Sequence, residues 1–318
     1  METEKDIQPQ DYEKYMRRAL QLAANGAGRV SPNPQVGAVI VAPDGRIIGE
    51  GWHREYGQPH AEVNAFASIS SDDEHLIGDS TIFVTLEPCS HYGKTPPCAL
   101  LLKEKGIRRA VIGTGDPNPK VAGRGLKILR DAGIEVVEHV LEPECRAINR
   151  RFFTAQTLRR PWIQLKWAES ADGFIAAEGG RPVALSTPVT LRLMHRERAM
   201  ADAILVGTDT WLNDNPSLTV RHWPGRDPKR VMFSSPRIPE EAHEGKIILD
   251  PDIPLKANME RLFSEFGITS LMVEGGAKLL GSFIKAGLYD EIRRERSSVR
   301  LGSGIKAPAL PGHALEEF

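Results

Sequence analysis

Two α/β domains in series are what the sequence predicts, and three observations lead there. The chain has 318 residues, and domains run to roughly 150 residues each. Hydrophobic residues make up 41% and charged residues 26%, the balance of a globular protein rather than a disordered one. Segments with helical and strand periodicity also alternate along the chain, with one Arg-rich interruption around residues 147–160. That alternation is the mark of sheets covered by helices.

Residues 12–23 place Tyr12, Tyr15, Met16, Ala19, Leu20 and Ala23 on one stripe, an amphipathic helix that Gly26 stops. Residues 36–41 and 46–52 flank Asp44-Gly45, which predicts an antiparallel hairpin. A helix from near His60, a strand at 81–86 and a helix over about 97–105 follow. Strand 110–113, helix 124–132 and strand 134–137 complete a first domain over residues 1–150. The second, over 151–318, starts with strand 162–167, helix 188–199 and strand 203–207. Short strands at 230–233 and 246–249, helix 259–266, strand 270–273 and a helix over 277–286 ending at Gly287 come next. Residues 293–298 read Arg-Arg-Glu-Arg-Ser-Ser, so no buried strand is expected across 291–302. The chain stops at Phe318 with no further strands expected to close the sheet.

Forty-one basic against 42 acidic side chains give a net charge of -1, which speaks against an electrostatic grip on nucleic acid or anionic lipid. A small-molecule enzyme fits better. Three cysteines, Cys89, Cys98 and Cys145, are too few for a disulfide framework and fit a reducing compartment. The first residues lack a basic-then-apolar signal pattern, and no apolar run approaches the roughly 18 residues of a membrane span. A cytoplasmic protein without membrane contact is expected.

The strongest chemical signal is Pro59-His60-Ala61-Glu62, followed by Glu87-Pro88-Cys89 and then Cys98. One imidazole and two thiolates are a zinc donor set that leaves a fourth tetrahedral position for water. Such water falls to a pKa near 7, so hydroxide is available at neutral pH. Glu62, two residues beyond His60, can carry a proton from that water to a leaving amine. His-x-Glu with Pro-Cys is the pattern of zinc base deaminases, although there the second half usually reads Pro-Cys-x-x-Cys. His53 and His91 fit substrate contacts or surface residues better than a fourth ligand. Two other readings stay open: a nucleic-acid base deaminase, and a structural zinc protein.

The second domain is less specific. No Gly-x-Gly-x-x-Gly follows a strand, and Gly113-Thr-Gly115 runs into Asp-Pro. Glu274-Gly275-Gly276 joins a strand to a helix, where paired glycines admit a phosphate to backbone N–H groups or simply make a tight turn. Arg198 and Arg221 can grip a phosphate bidentately, or pair with nearby acids.

The segments Pro59-His-Ala-Glu-Val-Asn-Ala65 and Val84-Thr-Leu-Glu-Pro-Cys-Ser-His-Tyr-Gly-Lys-Thr-Pro-Pro-Cys98 closely resemble the bifunctional deaminase–reductase family of riboflavin biosynthesis. Pro32-Asn-Pro-Gln-Val-Gly37 and Asp116-Pro-Asn-Pro-Lys-Val-Ala-Gly-Arg-Gly125 match it too, and the wide cysteine spacing is the family's own. The resemblance implies a cytidine-deaminase-like three-layer domain. It assigns zinc to His60, Cys89 and Cys98, proton transfer to Glu62 and base contact to Asn33. It continues through Ile163-Gln-Leu-Lys166-Trp-Ala168-Glu-Ser-Ala-Asp-Gly173, residues 203–207, residues 213–221 and Val273-Glu-Gly-Gly-Ala-Lys-Leu-Leu-Gly281. That half implies a dihydrofolate-reductase-like domain. Ala168, Thr210, Asp214, Ser235, Gly275 and Gly276 would face NADPH. Lys166, Arg198, Leu218, Arg221 and Glu274 would face a phosphoribosyl pyrimidine. A homodimer through the reductase domain is the family expectation. Three stretches depart from the pattern: Met232-Phe-Ser-Ser235 lacks the usual strand-end aspartate, Pro182 and Ala184 replace a serine and a tryptophan, and 291–302 replaces an apolar strand. They raise the alternative of a deaminase whose second domain has lost or reduced its reductase activity.

Overall fold

The computed structural model describes residues 7–92, 96–118 and 122–310. The chain divides into two compact units, Met1–Thr157 and Leu158–Phe318.

In the first unit, α1 (Tyr12–Ala24) precedes the hairpin of β1 (Gly37–Val41) and β2 (Ile47–Trp52). Then come α2 (Ala61–Ala67), β3 (Thr81–Leu86), α3 (Cys98–Lys105), β4 (Arg109–Thr114), α4 (Arg124–Asp131) and β5 (Glu135–Val137). The sheet runs β2-β1-β3-β4-β5, antiparallel on either side of β1 and parallel from β3 onward. Every residue of β1, β3 and β4 is buried, because helices cover both faces. The two-residue strand period sorts the core. Ala38, Ile40, Ile82, Val84, Ala110 and Ile112 meet α2, α3 and α4, while Val39, Val41, Phe83 and Val111 meet Tyr12, Tyr15, Met16 and Ala19 of α1. Gly51 lets α2 lie directly on β2: a Cβ there would sit 2.4 Å from the Ala61 carbonyl oxygen. This close approach fixes the helix start that carries His60 and Glu62. The Arg-rich stretch forms two further helices, α5 (Glu142–Ile148) and α6 (Arg150–Leu158), with Cys145 buried under α5.

The second unit contains β6 (Trp162–Glu169), β7 (Phe174–Ala176), α7 (Pro188–Met200), β8 (Ala203–Val206), α8 (Thr208–Asp214) and β9 (Lys229–Phe233). It continues with β10 (Ile247–Leu249), α9 (Leu255–Ser264), β11 (Ser270–Glu274), α10 (Ala277–Lys285), β12 (Glu291–Arg296) and β13 (Ile305–Lys306). Six strands form one parallel sheet, β10-β9-β8-β11-β6-β12, and β13 pairs with β7. Ile163, Leu165, Leu205, Leu271 and Val273 pack on Met259, Leu262, Leu280 and Phe283. On the opposite face, Ile204, Val206, Met272 and Leu218 leave room for a large cavity.

The expectation that residues 291–302 hold no strand is corrected. Residues 291–296 are β12, in register with β6 from Glu291 opposite Gln164 to Arg296 opposite Glu169. An end strand has one neighbour and no need of an apolar face, and charge there discourages edge pairing with other chains. Each charged side chain has a polar partner, Arg296 donating to the Ala171 carbonyl at 3.1 Å. Arg293 bonds Glu291 at 2.6 Å and Glu197 at 3.2 Å, and Arg294 lies 3.7 Å from Glu169. Glu295 accepts from the hydroxyls of Ser186 (2.6 Å) and Thr190 (2.7 Å).

Candidate active sites

In the first unit the chemistry collects at the ends of β3 and α2. His60 is the N-cap of α2, Cys89 follows β3, and Cys98 opens α3 after Pro97. His60 Nδ1 lies 3.6 Å from Cys89 Sγ and 3.4 Å from Cys98 Sγ, and all three donors fall within 4.8 Å of one another. Tetrahedral bonds of about 2.0–2.3 Å separate neighbouring ligand atoms by about 3.6 Å, so the trio fits zinc. The Cys98 backbone N–H donates to Cys89 Sγ at 3.2 Å. A hydrogen bond from the Cys98 thiol, against the opposing effect of burial and with His60 adding to it, draws the Cys89 thiol below its ordinary value, while the Cys98 thiol is pushed up. Cys145, by contrast, is raised to about 12 by burial and serves packing.

Glu62 is 3% exposed, and burial first, then the Cys89 charge, lifts its carboxyl to about 7. It lines a cavity of about 340 Å³ together with Asn33, His53, His60, Cys89, His91, Asp116 and Asn118. His53 is buried rather than superficial. Its Nδ1 faces the Pro59 carbonyl at 3.1 Å and so carries the proton, leaving Nε2 to accept from Asn33 Nδ2 at 3.2 Å. Burial also holds the ring below its usual pKa, hence neutral. The Asn33 loop is tied down in turn: the Gln35 N–H donates to Asn149 Oδ1 at 2.7 Å and Asn149 Nδ2 donates to the Gln35 carbonyl at 2.8 Å. Sequence reasoning passed over Phe152 and Gln156 of α6, which complete the wall. The spacing of Ile148, Phe152 and Phe153 was the available signal. Pro119-Lys-Val121 of the expected Asp116–Gly125 motif lies outside the described residues.

In the second unit, Lys166, Ala168, Arg198, Thr210, Asp214, Leu218, Ser235, Glu274, Gly275 and Gly276 all line one cavity of about 990 Å³. These positions are spread over more than a hundred residues of chain, and the parallel strands bring them to one end of the sheet. Gly275 and Gly276 have φ of +66° and +73° before α10, and a Cβ on Gly276 would lie 3.2 Å from Thr210 Oγ1. The glycines thus leave a cradle of backbone N–H groups that side chains would fill, suited to a dinucleotide phosphate. Arg198 does not point a free fork at solvent. Its Nε and Nη2 donate to Glu274 at 2.8 and 2.7 Å, and its Nη1 to the Thr219 carbonyl at 3.2 Å. Burial acts to raise the Glu274 carboxyl, but the Arg198 fork, with Lys166 and His195, holds it below the usual range. Arg221 is the one predicted residue outside the cavity wall. Its guanidinium bonds Ser217 and, at 3.0 Å, Thr219. Pro182 and Ala184, the departures from the family pattern, are part of the same wall as Ser235.

Comparison with known proteins agrees with both halves. Residues 9–114 match the family described as the cytidine and deoxycytidylate deaminase zinc-binding region, and residues 161–314 match the RibD C-terminal domain. The riboflavin biosynthesis protein RibD of Aquifex aeolicus is 36% identical, over 95% of this chain and 91% of its own length. That of Escherichia coli is 36% identical over 94% and 91%. The structure of the Thermotoga maritima diaminohydroxyphosphoribosylaminopyrimidine deaminase/5-amino-6-(5-phosphoribosylamino)uracil reductase is 39% identical. It superposes with a TM-score of 0.83, over 93% of this chain and 89% of that one. Acinetobacter baumannii RibD gives 35% identity and a TM-score of 0.86, over 94% and 90%.

Proposed function

The chain belongs to the RibD family of riboflavin biosynthesis, and on that premise we propose how its own residues divide the work. It is a bifunctional enzyme, a zinc-dependent pyrimidine deaminase and an NADPH-dependent reductase. Met1–Thr157 are assigned to the first reaction and Leu158–Phe318 to the second, a boundary seven residues beyond the expected 150, because α6 walls the first cavity.

His60, Cys89 and Cys98 would hold zinc, which when bound supplies the Lewis acidity that makes water a nucleophile at neutral pH. Asn33, oriented by neutral His53, binds the edge of 2,5-diamino-6-(5-phosphoribosylamino)pyrimidin-4-one. Glu62 takes the proton of the attacking water and passes it to the departing amine. A carboxyl near 7 is matched to both halves of that transfer. The cavity closed by Phe152 and Gln156 limits competing water.

In the reductase, bound NADPH would supply a hydride for the ribosyl carbon of the deaminated product, and with a solvent proton on the released ring oxygen the sugar would become a ribityl chain. Ala168, Thr210, Asp214, Ser235, Gly275 and Gly276 are assigned to the cofactor. Lys166, Leu218, Arg221 and the Arg198–Glu274 pair are assigned to the substrate. Held by Glu274, Arg198 acts as a fixed positive wall rather than a mobile clamp. We assign the protein to the cytoplasm, supported by three free cysteines and by the absence of a membrane-length apolar helix among the described residues. A homodimer through the reductase unit, the expectation from the family resemblance, is proposed, and sedimentation tests it.

The observation that carries the reading is that Glu62 shares one cavity with His60 and Cys89, two members of the three-donor cluster that Cys98 completes. Mass spectrometry of the products from zinc-loaded protein tests it. Deaminated product is expected without NADPH and the ribityl product with it. Deamination that NADPH never carries further would leave only the deaminase.

A further inference from the structure

Glu87 closes β3, two residues before Cys89, and is 4% exposed. No cation is bonded to its carboxylate among the described residues. Its partners are backbone donors: the Gly125 N–H reaches Oε1 at 2.9 Å, and the N–H groups of Gly123 and Asp116 reach Oε2 at 3.0 and 3.3 Å. A buried carboxylate collecting N–H groups in this way fixes the backbone that bears them. The same segment also packs on the cysteine loop, since a Cβ on Gly125 would fall 2.1 Å from the Pro88 carbonyl oxygen.

What this tether delivers is a turn. Asp116 Oδ1 accepts the Asn118 N–H at 2.8 Å, and both side chains line the cavity that holds Glu62 and Asn33. Cys89 does not depend on it. The Cys98 N–H holds the Cys89 sulfur, and the Ala99 N–H donates to the Cys89 carbonyl at 3.2 Å. We propose that Glu87 is a positioning residue of the deaminase: its carboxylate holds the turn at residues 116–118 as one wall of the cavity. It thereby sets affinity for the pyrimidine without touching metal retention or proton transfer. The inference rests on reading this cavity as the deaminase site.

Glu87→Gln keeps the shape but turns an amide NH2 toward backbone donors. In the full zinc-loaded chain, KM for the diaminopyrimidine substrate is expected to rise by roughly tenfold or more, with kcat within about threefold. Zinc content and the reductase step, assayed on the deaminated intermediate, should match the parent. Exchange of the Gly123 and Gly125 amide hydrogens should quicken while the rest of the unit stays protected. Gly123→Ala strains the same segment at a φ of +76°, with open space for the methyl and the carboxylate intact, and should raise KM in the same way even if Glu87→Gln folds poorly. Parent-like KM in both variants overturns the proposal, as does a joint fall of zinc content and kcat, which would make Glu87 merely structural. A parent chain that never deaminates the substrate would instead remove the reading of the site on which the proposal stands.

Discussion

Desolvation decides the proton affinity of Glu62, and two measurable consequences follow. The carboxyl sits near 7 in the folded chain against an ordinary value of 4.5. Between those values the unfolded chain has lost this proton and the folded one keeps it, so the group costs stability as pH rises. Metal-free Glu62→Gln should therefore gain on the metal-free parent between pH 5 and pH 8, by up to about 3 kcal/mol. Urea denaturation at the two pH values measures it, and an equal difference at both would contradict the burial argument. Loaded with zinc, the same variant should keep its metal and lose deamination by about 10²–10⁴-fold, because amide nitrogen cannot shuttle the proton. Cys89→Ser should fail to retain zinc on elemental analysis, since a hydroxyl does not ionise to replace the thiolate. These residues were readable in the chain because His60, Glu62, Cys89 and Cys98 occupy two short stretches whose spacing carries chemistry. Glu87 stands in the same motif, but its role was not readable there: its partners are backbone N–H groups, which look alike in every sequence.

Strands and helices were predictable where a face is apolar, and less so where charge covers them. The apolar runs over residues 81–86 and 110–113 match β3 and β4 because helices bury both faces of those strands. Charged β12 defeats the same test, since an end strand takes its stability from one ladder and from ion pairs. Helices α5 and α6 escaped notice behind their arginines, although α6 carries part of the deaminase wall. Apart from the Gly275-Gly276 pair, which reads equally as a tight turn, the cofactor cradle was visible only through family resemblance, because residues from 166 to 276 meet there by long-range folding. β12 has a functional consequence as well. Glu295 anchors Ser186 and Thr190, next to the segment 182–186 that walls the reductase cavity. Thr187 caps α7 at this point, its hydroxyl accepting the Thr190 N–H. Glu295→Ala should lower stability by about 1 kcal/mol, read from the urea midpoint at constant slope. It should also raise KM for NADPH more than it changes deamination, and equal effects on both activities would mean general unfolding.

The two reactions use separate cores, separate cavities and unrelated chemistry, so one chain carries two catalysts in sequence. The first product keeps its phosphoribosyl group, and the residues proposed to meet that group, the Arg198–Glu274 pair and Lys166, line the second cavity. Nothing in either reaction requires the intermediate to stay attached to the chain that made it. Asp214 lines the reductase cavity at the end of α8, and burial raises its carboxyl above the usual range. Asp214→Ala should weaken NADPH binding while leaving deamination at the parental rate, and mass spectrometry should show the deaminated intermediate accumulating. Glu62→Gln should do the reverse, reducing supplied intermediate but making none. An equimolar mixture of the two variants should then yield the ribityl product after a lag that shortens as enzyme concentration rises, because the intermediate must build up in solution before the second chain takes it. Ribityl product from the parent with no product from the mixture would show that the intermediate passes only within one chain or one assembly.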